Sequence, residues 1–227
     1  MGHAPNDAID EFYSLIKAGT CVGELLRQYT ALFPFIHSMG LTPDYRLGKG
    51  RLKRLFDEVT PVTRVVRRCA GLDDRIQFPL NSSVPDCNLW HRSGRHQTIE
   101  VTTVHRRAHF FLMKELNATG QGRGYLGLDD SSSNEDFRSA MNREREMHST
   151  PEAQASKARA IASCARKKSN NQSAETLIIE DLMLNCLPTN RCLEMQYRLS
   201  ELVQPLLFSE IYLVGYHNDD DLCLRLK

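Results

Sequence analysis

Apolar residues recur at helical spacing from residue 7 to residue 40: Ile9, Phe12, Leu15 and Ile16, then Leu25, Leu26, Tyr29, Leu32 and Phe33. Recurrence at i, i+3 and i+4 places each group on one helical stripe, and Gly19 and Gly23 divide the stretch into two helices. A third helix is predicted from about Gly50 to Glu58, and Pro61 opens a fourth through Arg68, since proline suits a first helical turn. Gly71 stops it. At Arg75 the period shortens to two: residues 75–80 read as a short strand, and 84–91 with 97–103 read as a hairpin around the polar turn 92–95. The helical period returns from Val104 to Leu116, with Ala108, Phe111 and Leu112 on one face, and Gly120, Gly122, Gly124 and Gly127 end it.

Residues 117–150 are rich in Gly, Ser, Asn and charge and read as a flexible loop, in which the run Met141–Met147 has helical character. Ser149-Thr-Pro-Glu152 is a helix start, and the alanine-rich run from Ala153 ends in Arg166, Lys167 and Lys168, where a helix C-terminus favours positive charge. Glu175–Glu180 is apolar enough for a central strand. A helix over 189–202 and a closing hairpin, 211–216 with 222–226, complete the chain. The order from Val62 to Glu180 is helix, three strands, helix, strand.

Composition changes this picture little. The chain has 227 residues, 41% of them hydrophobic and 25% charged, as in an ordinary globular protein. No run approaches the length of a membrane span, and the first residues carry acids where a signal peptide wants bases, so no membrane partner is expected. Seven cysteines without tight spacing read as free thiols of a reducing compartment, and a cytoplasmic location is expected. Charge is more informative by segment than in total. The formal sum is +1, but from Tyr45 to Arg68 eight bases meet two acids, Asp57 and Glu58, while Asp129, Asp130, Glu135 and Asp136 face no base between Leu128 and Asp136.

The sharpest local pattern lies in the hairpin. Pro85-Asp86 begins one strand and Glu100-Val101-Thr102 lies in the next, with thirteen residues between Asp86 and Glu100. Strand side chains alternate, so Glu100 and Thr102 share a face, and the turn can bring Asp86 beside them. Two converging carboxylates, with the main-chain carbonyl of Val101, offer the oxygen ligands that a hard divalent cation takes.

These residues resemble the motif of the PD-(D/E)XK nuclease superfamily. The resemblance covers roughly residues 50–185 and implies an α/β fold with a restriction-endonuclease-like core. In such a core a mixed central sheet is flanked by helices, here with residues 1–45 as an N-terminal helical extension and 46–227 as the nuclease-like domain. It implies a metal-dependent endonuclease in which Asp86, Glu100 and Val101 hold Mg2+ or Mn2+. The family's motif lysine is Thr102 here, so the resemblance hands its charge to the following helix, with His105 and Arg106 as first candidates and Arg107, His109 and Lys114 behind them. Glu58 resembles the glutamate of the family's first helix. The implied partner is nucleic acid, DNA ahead of RNA, held at its backbone by Arg51, Lys53, Arg54, Arg107 and Arg123, with a homodimer as the assembly that would cut both strands. Because a hydroxyl cannot replace an ammonium charge, the alternative is a catalytically inactive nuclease-like module that binds nucleic acid or assembles with protein.

Other patterns are weaker. His105 and His109 are four apart, a spacing that can bind zinc, but Arg106 stands where a zinc protease has its glutamate and no third ligand is evident. The glycine run 120–124 follows a helix and lacks the lysine of a phosphate loop. Cys87, Cys186 and Cys192 read as core thiols, and Trp90 reads as a packing residue of the hairpin.

Overall fold

The computed structural model describes residues 7–81, 84–122, 124–143, 148–170, 174–184, 189–217 and 220–227. The first two apolar stripes form α1 (Asp7–Ala18) and α2 (Val22–Ser38) and bury Ile9, Ile16 and Leu25 completely. The break falls at Gly19, whose φ of +91° a side chain would strain, and a two-residue strand, β1 (Thr20–Cys21), fills the gap. Gly23 breaks nothing. It lies in the first turn of α2, because Cys21 already caps that helix by accepting the N–H of Glu24. A short α3 (Thr42–Leu47) leads into a 3-10 turn at Gly50–Leu52 and a π-helical turn at Leu55–Val59, which runs directly into α4 (Thr60–Cys69). The wide turn is pinned at its start. Tyr13 Oη accepts the N–H of Leu55 at 3.0 Å and donates to the carbonyl of Arg51 at 2.6 Å, and Thr60 Oγ1 donates to Leu55 O at 2.8 Å.

Three antiparallel strands follow: β2 (Arg75–Gln77), β3 (Cys87–Trp90) and β4 (His96–Val104). The hairpin is the expected one, although its first strand starts only after Pro85, which has no N–H to give a ladder. Arg75 pairs with Trp90 and Trp90 with His96, while Cys87 pairs with Ile99. Alternation then sorts the side chains: Ile76, Cys87, Leu89 and Ile99 are buried, while Arg75, Asn88, Trp90, His96 and Thr98 lie on a partly or fully exposed face.

After β4 come α5 (Arg106–Thr119), α6 (Asn134–Asn142), α7 (Thr150–Ser169), β5 (Thr176–Asp181), α8 (Thr189–Val203) and the hairpin β6 (Glu210–His217) with β7 (Asp220–Arg225). The fold is α/β, with a mixed seven-stranded sheet whose strands follow chain order, flanked by helices. β5 is buried at all six positions, as an apolar central strand should be. The 117–150 stretch contains α6, closed by a capping box between Ser133 and Asp136 and anchored by the buried ring of Phe137. Ser149 and Glu152 form the capping box expected at the start of α7.

The chain divides into two compact units, Met1–Val101 with Ser173–Thr176, and Thr102–Gln172 with Leu177–Lys227. In the first, α1, α2 and α4 accompany β2 and β3, and β5 enters beside β4, where Glu175 N–H donates to Thr98 O and Oγ1 at 3.2 and 3.0 Å. In the second, Ile161, Leu177, Ile179, Leu199, Phe208 and Leu213 form a fully buried core. Among the described residues no helix is long and apolar enough to cross a membrane.

Candidate active site and a buried charged cluster

Continuing the β3–β4 register by one residue places Asp86 opposite Glu100. Asp86 reaches across to β4, where its Oδ2 accepts the N–H of Val101 at 2.7 Å, and Glu100 is buried, 5% exposed. The hairpin thus brings together the two acids and the main-chain segment that the sequence pattern selects. Cys87, next in line, is fully buried and its thiol is pushed well up by burial and then by the Asp86 charge, so it is a core thiol and no nucleophile.

A third carboxyl bears on the pair. Glu58 lies on the π-helical turn, half-buried, and its pKa is raised to about 7, by burial first and then by the negative charge of Asp86. Wide helical turns recur at functional positions because they displace a side chain from the regular ladder. Two cations of the same segment act on Glu58 in the opposite sense, Arg54 and then Lys53, and Lys53 Nζ is 3.0 Å from Asp57 Oδ2. Arg51 contributes its carbonyl to Tyr13. All eight members of the basic block thus lie in the same unit as the acid pair, and two of them, Arg54 and Lys53, are felt at its third carboxyl.

The remaining candidates lie in the second unit. Thr102 Oγ1 is 3.2 Å from Cys164 Sγ of α7. His105 does not continue the helix. It is the N-cap of α5 with a left-handed φ of 59°, so His105 and His109 do not share a helical face as their spacing suggested. Its ring is buried, with Nδ1 2.9 Å from Asp181 Oδ1. Lys157 Nζ lies 3.1 Å from Asp181 Oδ2, and the N–H of Met183 donates to Asp181 Oδ1 at 2.9 Å. Burial alone would raise the Asp181 carboxyl, but Lys157, His105 and the Met183 N–H outweigh it and hold the group far below the usual carboxylate range. The ring of Tyr125 stands 5.6 Å from Lys157 Nζ and 6.5 Å, edge-on, from His105. His105 Nε2 is buried and has no hydrogen-bond partner among the described residues.

Lys157 and Asp181 escaped the sequence reading, although both left a trace. Lys157 falls in the buried stripe Ala153, Ile161 and Ala165 of α7, and Asp181 ends a strand that is buried at every position, so each charge required a partner inside.

The basic residues of α5 serve the chain itself. Asp130 accepts the N–H of Arg106 at 3.2 Å and of Arg107 at 2.8 Å, which fills the N-terminus of α5 with a carboxylate. The Arg107 guanidinium donates to the carbonyls of Asp130 and Ser132 and to Asn134 Oδ1, and lies 5.2 Å over the ring of Phe137. Burial and then the Arg106 charge push His109 down to about 4. Arg123 and Cys186 lie outside the described residues. Among the described residues no group of three or more His, Cys, Asp or Glu side chains is arranged to hold a metal ion. Comparison with protein-family models, with curated proteins and with solved structures finds no match to this chain.

Proposed function

We propose that the protein is a metal-dependent nuclease with a restriction-endonuclease-like core, hydrolysing phosphodiester bonds at the Asp86–Glu100 pair. The observation that carries this reading is the hairpin register, which sets Asp86 opposite the buried Glu100 with Asp86 Oδ2 accepting the Val101 N–H at 2.7 Å; the half-buried Glu58 carboxyl, raised by burial and by the charge of Asp86, supports it. Carboxylates gathered against their own repulsion fit a hard cation, whose charge removes that repulsion. Asp86, Glu100 and the carbonyl of Val101 are the residues that would hold Mg2+ or Mn2+. Such an ion polarises a phosphoryl oxygen and lowers the pKa of bound water.

The rest is done by the chain. Arg54 and Lys53 neutralise the incoming phosphate, and Asp86 keeps its carboxylate oriented through the Val101 N–H. His105 is committed to Asp181 and Arg107 to the 130–134 segment, so neither supplies the missing lysine charge.

Thr102 favours a second reading. Its hydroxyl is engaged with Cys164 and supplies no charge, which suits an inactive module that binds nucleic acid or assembles with protein. Cleavage of labelled single- and double-stranded DNA and RNA with Mg2+ or Mn2+ separates the two. The nuclease reading expects activity that falls at least a hundredfold in Asp86→Ala and in Glu100→Ala; activity unchanged in both removes the site, and binding without cleavage selects the inactive module.

A further inference from the structure

The exposed face of the β2–β4 sheet carries a ladder of planar side chains. Arg75, Trp90 and His96 occupy directly paired positions on three successive strands. The Trp90 and His96 rings are stacked, 14° from parallel with centroids 4.9 Å apart, and the Arg75 guanidinium lies 5.8 Å from the indole centroid. The ladder is braced. Asn88 Oδ1 lies 3.1 Å from His96 Nε2 and fixes the imidazole plane, and Arg75 Nη2 donates to the carbonyl of Ala18 at 3.5 Å. At Gly19 a Cβ would sit 3.2 Å from the guanidinium, so the absent side chain leaves Arg75 its place. Arg75 and His96 are both exposed, and Trp90 is partly exposed.

Stacking of directly paired side chains stabilises the hairpin, and at an exposed face it also leaves a preformed ladder of planes on which a further plane can stack. Unsaturated planes in a positively charged setting fit nucleobases, which stack on aromatic and guanidinium planes whatever their sequence while nearby bases hold the phosphates. Cations stand at this end of the sheet: besides Arg75, the hairpin turn carries Arg95 and Arg92, the latter 3.0 Å from Asp73. A duplex keeps its bases stacked on one another, so the occupant is single-stranded.

We propose that the Arg75–Trp90–His96 ladder is a base-stacking platform for single-stranded nucleic acid. The platform also lies on the same face, two paired positions along from Glu100, a separation of about 13 Å at ~3.3 Å per residue. Resting on the nuclease reading for this one point, it holds a base about four nucleotides from the scissile phosphate, taking ~3.4 Å per stacked nucleotide.

Trp90 is the single tryptophan of the chain, so its fluorescence reports the platform alone. The full-length protein, in EDTA to prevent cleavage, is titrated with a single-stranded DNA oligonucleotide of mixed sequence and with the matching duplex, and anisotropy of the labelled oligonucleotide gives affinity independently. Quenching by the single strand is expected, with little by the duplex. His96→Ala and Trp90→Ala are expected to weaken binding about 5- to 150-fold and Trp90→Phe to restore most of it. Because His96 is exposed, its substitution tests the ladder even if Trp90→Ala does not fold. Binding without quenching, equal quenching by the duplex, wild-type affinity in His96→Ala, or no binding at all each overturns the proposal. Quenching in a protein that cleaves nothing keeps the platform and removes the nuclease; cleavage without quenching does the reverse.

Discussion

At the scale of single residues, the decisive groups are charges held where water is scarce. Asp181 and Lys157 are both 0% exposed, and neither charge has bulk solvent to fall back on. Asp181→Asn or Lys157→Met alone leaves a buried charge uncompensated and is expected to cost about 3–5 kcal/mol in urea denaturation, whereas the double change costs clearly less than the sum. Additive costs would show that the two do not act as a pair.

Glu58 behaves in the opposite way. Its folded pKa, about 7, lies above its ordinary 4.5, so its contribution to stability is fully present below 4.5 and is lost as pH rises through 7. Glu58→Gln is therefore expected to raise stability at pH 8 by about 1 kcal/mol, a value reduced for the partial solvent exposure of the group, and to change nothing at pH 4. On the nuclease reading, saturating Mg2+ narrows the gap at pH 8 by stabilising the charged form. Thermal melts at the two pH values, with and without Mg2+, check this, and an equal effect at both would contradict the assigned cause. Asp86 and Glu100 were legible as a pair because strand alternation and a short turn leave few registers. The Glu58 link was barely legible, since nothing local marks a π-helical turn that swings the carboxyl toward Asp86.

At the scale of elements, periodicity found α1, α2, α5 and the two hairpins, because each has a stripe of apolar residues to bury, as in α2 with Val22, Leu25, Leu32 and Ile36; α7, whose buried stripe is mostly alanine, was legible instead from its Ser149–Glu152 start and alanine richness. α6 has only Phe137 among its buried residues, and β1 has two residues in all, too little pattern for a period to be counted. His105 misled for a different reason: a left-handed residue before α5 breaks the helical phase that its spacing assumed.

Close approach of elements was not legible at all, and β6 shows why it matters. A Cβ at Gly215 would lie 2.7 Å from the carbonyl oxygen of Asp181 and 2.9 Å from Leu184 Cβ, so β6 passes over the end of β5 with no room for a methyl group. Gly215→Ala is expected to cost about 1–3 kcal/mol in chemical denaturation, with Lys157 and Asp181 intact. A neutral effect would show that the strand can shift freely.

For the whole molecule, the total charge of +1 says little, because the sum hides a positive segment at 45–68 in the same unit as the acid pair and acidic loops that the second unit spends on its own helix ends, as Asp130 does. The class of the fold was legible from element order, but the division into two units was not, since no linker composition marks it. The chain moves from one unit to the other in the middle of β4, returns for Ser173–Thr176, and leaves again inside β5. Four residues from late in the sequence thus complete the first unit, where Gln97 Nε2 donates to Thr176 Oγ1 at 2.5 Å. A ribosome that has made only the first hundred residues has made an unfinished body. Neither unit is one uninterrupted stretch of chain, so a cut at residue 101 would leave the first without Ser173–Thr176.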